Sequence, residues 1–287
     1  MSAGQNIAGA AKQHDGFQWV LRPLFAVLMA VVALGAMIGG GAWFAGFIAA
    51  VTIAGVREWH RMVTGGAYFF YAAISTLAIA AVLGLPFMVA SAPPGVPLLV
   101  LVVAALVNLA VAAVRRARPL WQAAGPLYLG IPGLALLRLR DVPQHGLWLV
   151  LILFVAVWAA DTGALFSGKL IGGPKLAPVL SPNKTWAGFA GGTALAAAAA
   201  SVALVLLGGS PLRGAATGVV LALVGHGGDL FESWVKRRVG RKDSGHLIPG
   251  HGGVLDRIDS ILFAVPVCAA LVYLFGAQSV LGLGAQP

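Results

Sequence analysis

The sequence predicts an all-α, polytopic integral membrane protein with nine transmembrane helices. Of the 287 residues, 59% are hydrophobic and 10% are charged, whereas a soluble domain usually carries about 25% charged residues. A water-soluble fold of this length could not hide so much apolar surface in one core. The apolar residues also fall into separate runs, each close to the ~20 residues that a helix needs to cross a bilayer.

Nine apolar runs define the candidate helices in chain order. They cover residues 23–40, 42–58, 67–91, 97–114, 121–138, 146–162, 186–208, 212–232 and 257–277. Only glycines separate the first two runs, so these runs are also compatible with a tight re-entrant hairpin. Two prolines in the fifth run predict that it is kinked or partly interfacial. Gly35 with Gly39 and Gly188 with Gly192 are spaced as in helices that pack closely, within one chain or between protomers.

The basic residues indicate how these helices are oriented, because cytoplasmic loops carry an excess of Lys and Arg. With nine spans and a cytoplasmic N-terminus, 16 of the 19 basic residues lie on the cytoplasmic side, and only Arg138, Arg140 and Arg213 lie on the other. We therefore expect a multi-pass protein of the cell inner (plasma) membrane, with its N-terminus and its long polar segments in the cytoplasm.

The formal net charge of +10 raises the question of nucleic acid as a partner. The basic residues, however, occur in short runs between apolar segments, which favours membrane lipids and anionic substrates and no nucleic acid. The single cysteine, Cys268, lies in an apolar run. A disulfide framework and a thiolate metal site are therefore excluded.

Acidic residues are concentrated in one stretch of the chain. Five of the nine lie between Asp229 and Asp259, although ionised groups near a bilayer are costly. Asp229 with Glu232, and Asp256 with Asp259, are each spaced i, i+3, which places both carboxylates on one face of a helix. Carboxylates that converge from two helix ends suit Mg²⁺, which takes one or two protein carboxylates together with phosphate oxygens.

Basic and glycine residues lie between the two acidic pairs. The basic ones are Lys236, Arg237, Arg238, Arg241 and Lys242, and Pro249-Gly250-His251-Gly252-Gly253 follows them. Metal-binding carboxylates, cations and a backbone that can approach phosphate recur in phosphoryl and nucleotidyl transfer. A basic juxtamembrane loop that touches anionic lipid explains the cations alone, but not the four carboxylates or the glycines.

A second polar segment follows the sixth apolar run. Asp161 ends that run, where a carboxylate either binds a cation or caps a helix. Ser181, Asn183, Lys184 and Thr185 directly precede the seventh run. Their hydroxyls and amine, with the helix N-terminus, are suited to binding an anion.

Two residues near the end of the second run have ordinary interpretations. Glu58 is expected to pair with Arg61 at i, i+3 on the helix surface. His60 is expected to be a solvated residue at the membrane interface.

Residues 1–22 are predicted to form a cytoplasmic segment, and residues 23–145 the N-terminal transmembrane helices. Residues 146–287 are predicted to form the catalytic transmembrane region, with cytoplasmic loops 161–185 and 233–256. No small-residue cleavage site closes the first apolar run, so it is expected to be a retained anchor.

Three runs in the C-terminal half form a long pattern of charged, glycine and apolar positions: Ser233-Trp-Val-Lys236-Arg237, Lys242-Asp243-Ser244, and residues 249–259, which read PGHGGVLDRID. This pattern resembles the signature of the phosphatidate cytidylyltransferase family. Gly228-Asp229-Leu-Phe-Glu232-Ser233, Asp161-Thr-Gly-Ala and Ser181-Pro-Asn183-Lys184-Thr185 also match, in the expected order. Leu165 and Ala187 depart from residues common in the family.

The resemblance implies that CTP and phosphatidate are converted to CDP-diacylglycerol and diphosphate, with Mg²⁺ as cofactor and a second metal ion left open. The implied metal ligands are Asp161, Asp229, Asp256 and Asp259, and the implied catalytic residues are Asp229, Lys236 and Asp256. The implied substrate-binding residues are Ser181, Asn183, Lys184, Thr185, Ser233, Arg237, His251, Gly252, Gly253 and Arg257. A homodimer is also left open.

Two other classes of protein remain as alternatives. A CTP-dependent lipid kinase of the polyprenol type would transfer the γ-phosphoryl group to an alcohol. A transporter would also place carboxylates in the membrane, but it would more typically show internal repeats and charges at the midplane.

Overall fold

The computed structural model describes residues 27–88, 93, 95–248 and 252–282. The predicted N-terminal segment 1–22 and the substrate-binding candidate His251 lie outside these residues. So do the first residues of the first predicted span and the last residues of the third.

The described residues form an all-α fold with one small two-stranded sheet. The helices are α1 (Val27–Gly39), α2 (Gly41–Thr64), α3 (Phe69–Met88), α4 (Val96–Val114), α5 (Pro119–Arg140), α6 (Gly146–Leu170), α7 (Trp186–Leu206), α8 (Pro211–Arg238), α9 (Leu255–Phe275) and the short α10 (Ala277–Leu281). The strands β1 (Lys175–Ala177) and β2 (Ser181–Thr185) form an antiparallel hairpin between α6 and α7. The predicted all-α class is confirmed.

Six of these helices, α4 to α9, are long and apolar enough to cross a membrane. The described parts of α1 and of α3 up to Gly84 are shorter apolar helices. A multi-pass membrane protein is therefore supported by the lengths and composition of the helices. The total of nine spans stays a prediction.

Several helices differ from the predicted spans at their ends. Helix α6 continues about two turns past residue 162, so Asp161 lies inside a helix and does not cap one. Helix α8 continues to Arg238 and thus carries the first basic residues of the predicted loop 233–256. Helix α5 is continuous through Pro126 and Pro132.

The helices pack as two groups that meet along α5 and α9. Helices α2 to α5 form one group, and α6 to α9 form the other. Glycines allow close packing in the second group: a Cβ added to Gly192 of α7 would lie 2.5 Å from the Ala160 oxygen of α6. The predicted helix contact at Gly188 and Gly192 is therefore confirmed. Gly35 has nothing within 4 Å among the described residues, so a contact there stays a prediction.

Aromatic side chains fill the junction between the two groups. Trp121 of α5 packs against Trp234 of α8 with ring centroids 5.5 Å apart, and Tyr128 of α5 packs against Phe231 of α8 at the same separation. Trp59 of α2 donates its Nε1 hydrogen to the Trp121 carbonyl at 2.8 Å. Large rings with a polar handle stabilise such a junction through both area and hydrogen bonding.

A buried polar network lies inside the first group, and it corrects the interpretation of His60. The His60 ring is fully buried, not solvated, and its nitrogens lie 2.6 Å from Gln122 Oε1 and 2.9 Å from Ser75 Oγ. Asn108 Nδ2 donates to the same Ser75 oxygen at 2.9 Å. Helices α2, α3, α4 and α5 are joined here by hydrogen bonds that compensate for burying polar groups.

Candidate active site

The predicted site residues come together where the C-terminal half of α8, the start of α9, the β-hairpin and α6 meet. A glycine allows the two helices to approach: a Cβ on Gly228 of α8 would lie 2.5 Å from the Asp259 carbonyl oxygen of α9. Asp229 follows Gly228 directly, so this close packing brings the two predicted acidic pairs to one junction.

Lys236 is the central cation of the site. Its ammonium nitrogen lies 2.8 Å from Asp256 Oδ1 on α9 and 3.2 Å from Glu232 Oε1 one turn earlier on α8. The Glu232 carboxylate is fully buried, and Lys236 is its ion-pair partner among the described residues. The Lys236 charge therefore offsets two carboxylates that would otherwise repel each other at low effective dielectric.

Asp256 is held by the loop between α8 and α9 as well as by Lys236. Its carboxylate accepts the backbone N–H of Ser244 at 3.2 Å and that of Gly253 at 3.0 Å. The residue lies in the first turn of α9, where the helix dipole favours a negative charge. The helix N-terminus, the Lys236 ammonium and the two backbone N–H groups thus all stabilise the ionised Asp256 side chain.

The β-hairpin delivers a second cation to the site. Lys184, near the end of β2, forms an ion pair with Asp229 of α8. The next residue, Thr185, caps α7 by accepting the Gly188 N–H at 3.0 Å. Because β2 ends in the cap of α7, the backbone beside Lys184 is held in place. The sequence predicts residues 161–185 only as a loop, without this strand.

Asp161 and Asp259 complete the acidic side of the site. Asp161 is exposed on the side of α6, close enough to Asp229 and Lys184 for their charges to interact. Asp259 interacts electrostatically with Asp229, Lys236 and Asp161, and its Oδ1 accepts the Ser260 N–H at 2.7 Å. Three aspartates from three different helices thus lie near one another.

These carboxylates offer only oxygen donors, which is the donor type that Mg²⁺ prefers. Among the described residues, no group of three or more His, Cys, Asp or Glu side chains is arranged as a ready-made metal site. Mg²⁺ often takes only one or two protein carboxylates and completes its shell with water and substrate phosphates. The residues therefore fit such an ion, and its binding stays a prediction.

The remaining predicted residues border this centre. Arg237 is exposed and donates from Nε to the Leu180 carbonyl in the hairpin at 3.4 Å. Ser233 lies at the edge of hydrogen-bond distance from Asp229, at 3.5 Å. Gly252 has a φ of 84°, which requires glycine. Arg257 is exposed in the first turn of α9.

The site predicted from the sequence does not include Glu58, a residue of the first helix group. Glu58 of α2 is buried, and its Oε2 accepts the N–H of Leu255 at 2.9 Å and the hydroxyl of Ser244 at 3.3 Å. The predicted pair with Arg61 was wrong, because no such ion pair forms in the described part of the chain. A carboxylate at the end of an apolar run was the one signal in the sequence, but its partners lie nearly 200 residues away.

Fold and site together define a polytopic, membrane-embedded protein in which carboxylates and cations from separate helices form one polar site. A family model described as "Cytidylyltransferase family" matches residues 20–275. The chain belongs to this family.

Several curated relatives of the chain are named phosphatidate cytidylyltransferase. A phosphatidate cytidylyltransferase of Brucella suis is 48% identical over 158 residues, which cover 55% of this chain and 57% of that protein. One of Bacillus subtilis is 40% identical over 152 residues, which cover 52% and 56%. In both matches the chain spans little more than half of the relative's length. A phosphatidate cytidylyltransferase of Pseudomonas aeruginosa is 38% identical over 276 residues, which cover 87% of this chain and 97% of that protein.

Proposed function

We propose that the protein is a phosphatidate cytidylyltransferase of phospholipid biosynthesis, a nucleotidyltransferase that converts CTP and phosphatidate to CDP-diacylglycerol and diphosphate. The names of its relatives support this activity. The structural observation that carries the proposal is the meeting of the Lys236–Asp256 and Lys184–Asp229 pairs at one junction. Cations and carboxylates from α8, α9 and the hairpin are what a reaction between two polyanions requires.

The reaction places clear demands on the side chains. A phosphatidate oxygen attacks the α-phosphorus of CTP, the bond to the β-phosphate oxygen breaks, and diphosphate leaves. The nucleophile is already anionic at neutral pH, so no general base is needed. The protein must instead bring two anions together and offset the charge on the leaving group.

The basic residues around the junction are suited to this task. Lys236, Arg237 and Arg257 would hold phosphate oxygens, and Lys184 would exchange its contact with Asp229 for one with substrate. Ser181, Asn183, Thr185 and Ser233 would add neutral contacts, and His251, Gly252 and Gly253 would shape the loop over the phosphates.

We propose Asp229 and Asp259 as the main ligands of Mg²⁺, with Asp161 beside them. Asp256 would join them by exchanging one of its present hydrogen bonds. Bound between carboxylates and phosphates, the ion would reduce the charge on the phosphate oxygens. Lys236 and the backbone N–H groups of Ser244 and Gly253 hold the Asp256 carboxylate in place.

Phosphatidate would reach the site from the bilayer. Asp161 is exposed on α6 beside the apolar side chains of Trp158, 40% exposed, and Leu165, 53% exposed. A polar group next to exposed apolar ones suits a lipid whose head group enters the site while its acyl chains stay in the membrane.

The proposed location is the cell inner membrane, with the N-terminus and the site in the cytoplasm. Cysteine labelling tests the orientation, because the one native cysteine, Cys268, is buried and Cys268→Ser removes it. In intact cells, a membrane-impermeant thiol reagent should label Arg213→Cys in that background. It should label Lys242→Cys only after the membrane is opened, and the reverse pattern would contradict the orientation.

Transfer of radiolabel tests the reaction itself. Purified protein in detergent would receive phosphatidate, a polyprenol and Mg²⁺ with CTP labelled in the α- or the γ-phosphate. The proposal predicts that only the α-label enters the lipid and that diphosphate is released. If a lipid product carried the γ-label and no cytidine, the protein would be a CTP-dependent lipid kinase instead.

A further inference from the structure

Glu58 lies in the first helix group, yet its carboxylate is inserted into the loop that joins α8 to α9. It is the only acidic residue of α2, and it is 7% exposed. Burying a carboxylate is costly unless hydrogen bonds compensate for the loss of water. The contacts of this side chain therefore indicate what its burial achieves.

Among the described residues, one carboxylate oxygen of Glu58 makes both hydrogen bonds, and the other makes none. Oε2 accepts the Leu255 N–H at 2.9 Å and the Ser244 hydroxyl at 3.3 Å, whereas Oε1 has no hydrogen-bond partner. Leu255 is the first residue of α9, and the α9 N-cap residue, Val254, forms no side-chain cap. Glu58 thus supplies, from another helix, the acceptor that a helix N-terminus needs.

Two glycines make room for the carboxylate. A Cβ on Gly245 would lie 2.5 Å from Glu58 Oε1, and a Cβ on Gly253 would lie 2.6 Å from Oε2. Glu58 is therefore enclosed by the two branches of the loop, on either side of the segment that carries His251. Glu58 therefore contacts both branches at once.

The same loop residues that contact Glu58 also hold Asp256. Ser244 donates its hydroxyl to Glu58 and its backbone N–H to Asp256. Gly253 packs against Glu58 and donates its N–H to Asp256. A displacement of either residue would therefore move the donors that orient the Asp256 carboxylate toward Lys236.

We propose that Glu58 is a positioning residue, which anchors the loop between α8 and α9 from the first helix group and thereby orients Asp256. The side chain acts as a hydrogen-bond acceptor, because one oxygen makes both bonds and no cation contacts it among the described residues. The effect on catalysis rests on the proposed cytidylyl transfer, whereas the effect on the loop does not.

Two substitutions test whether Glu58 acts as a hydrogen-bond acceptor. Glu58→Gln keeps an oxygen for Leu255 and Ser244, while Glu58→Ala removes it. We expect Glu58→Ala to lower kcat about 10- to 100-fold, the range seen when a group that orients a metal ligand is lost. Glu58→Gln should stay within about fivefold of the unsubstituted protein, because a neutral acceptor bonds about half as strongly.

Hydrogen exchange measured by mass spectrometry gives a readout that does not depend on activity. Glu58→Ala should speed amide exchange in peptides that contain Ser244 and Gly253–Leu255, and Glu58→Gln should not. Asn108→Ala is the matched control, because it removes a buried polar group of the same helix group without touching the loop. It should lower thermal stability and leave exchange in the loop unchanged.

The outcomes separate the two proposals. Faster exchange confined to the loop, with activity restored by Gln, supports the positioning role. The role is overturned if Glu58→Ala keeps full activity, or if Gln is as damaging as Ala. It is also overturned if exchange in the loop does not change. Failure of the unsubstituted protein to transfer cytidylate would refute the proposed function, and the exchange experiment would still test the loop.

Discussion

The Lys236 ammonium and the Asp256 carboxylate lie 2.8 Å apart and join the end of α8 to the start of α9. Both side chains are 13% exposed, so their contact is little weakened by solvent. Lys236 also faces the buried Glu232 carboxylate. Removing the Asp256 charge would therefore alter the position of Lys236 as well as the acidic side of the site.

We expect Asp256→Asn to lower kcat/KM for cytidylyl transfer by about 100-fold or more, in the range seen when one preorganised electrostatic group is removed. The asparagine keeps the shape but loses the charge that faces Lys236. Asp141→Asn makes the same change at an exposed residue that directly follows α5 and should leave the rate unchanged. Initial rates with saturating phosphatidate and varied CTP give kcat/KM for CTP in both variants. Full activity of Asp256→Asn would refute the role assigned to Asp256.

The Lys184–Asp229 pair can be tested as a coupled unit. Lys184→Met and Asp229→Asn should each reduce kcat/KM strongly, and the double variant should lose less than the product of the two losses. Groups in direct contact typically show coupling energies of about 0.5–3 kcal/mol. Lys175→Met, at the exposed first position of strand β1 in the same hairpin, is the control. Strictly multiplicative losses would show that the pair does not act together.

Much of this site follows from the sequence. The scarcity of acidic residues made Asp229, Asp256 and Asp259 conspicuous. The i, i+3 spacing predicted that each acidic pair lies on one face of a helix, and the apolar runs placed the pairs near helix ends. Their mutual approach depends on Gly228, whose close contact with α9 is a property of packing and not of any local pattern.

Other features could not be predicted because they depend on distant partners. His60 and Glu58 look like interfacial residues until Gln122, Ser75 and Leu255 are placed beside them. The hairpin was missed because its strands have three and five residues, and β2 contains Pro182 and Asn183, which rarely occur in strands.

Helix packing in the second group gives a prediction about stability. A Cβ on Gly192 would lie 2.5 Å from the Ala160 oxygen, so Gly192→Ala should force α6 and α7 apart. Overpacking usually costs about 1–3 kcal/mol, more than the ~1 kcal/mol that Ala gains over Gly in a helix. The melting temperature in detergent should fall. A Cβ on Gly46 of α2 would meet no described atom within 4 Å, so Gly46→Ala should keep or raise the melting temperature.

Metal binding is the prediction that most directly tests the acidic side of the site. Chelation by EDTA should abolish cytidylyl transfer, and added Mg²⁺ should restore it. Ca²⁺ should restore less activity, because it favours six to eight ligands at longer distances.

Electron paramagnetic resonance of bound Mn²⁺ measures metal affinity directly and does not depend on activity. Asp259→Asn should weaken Mn²⁺ binding, because Asp259 lies near both Asp229 and Asp161, whereas Asp141→Asn should leave it unchanged. Unaltered affinity in Asp259→Asn would place the ion elsewhere.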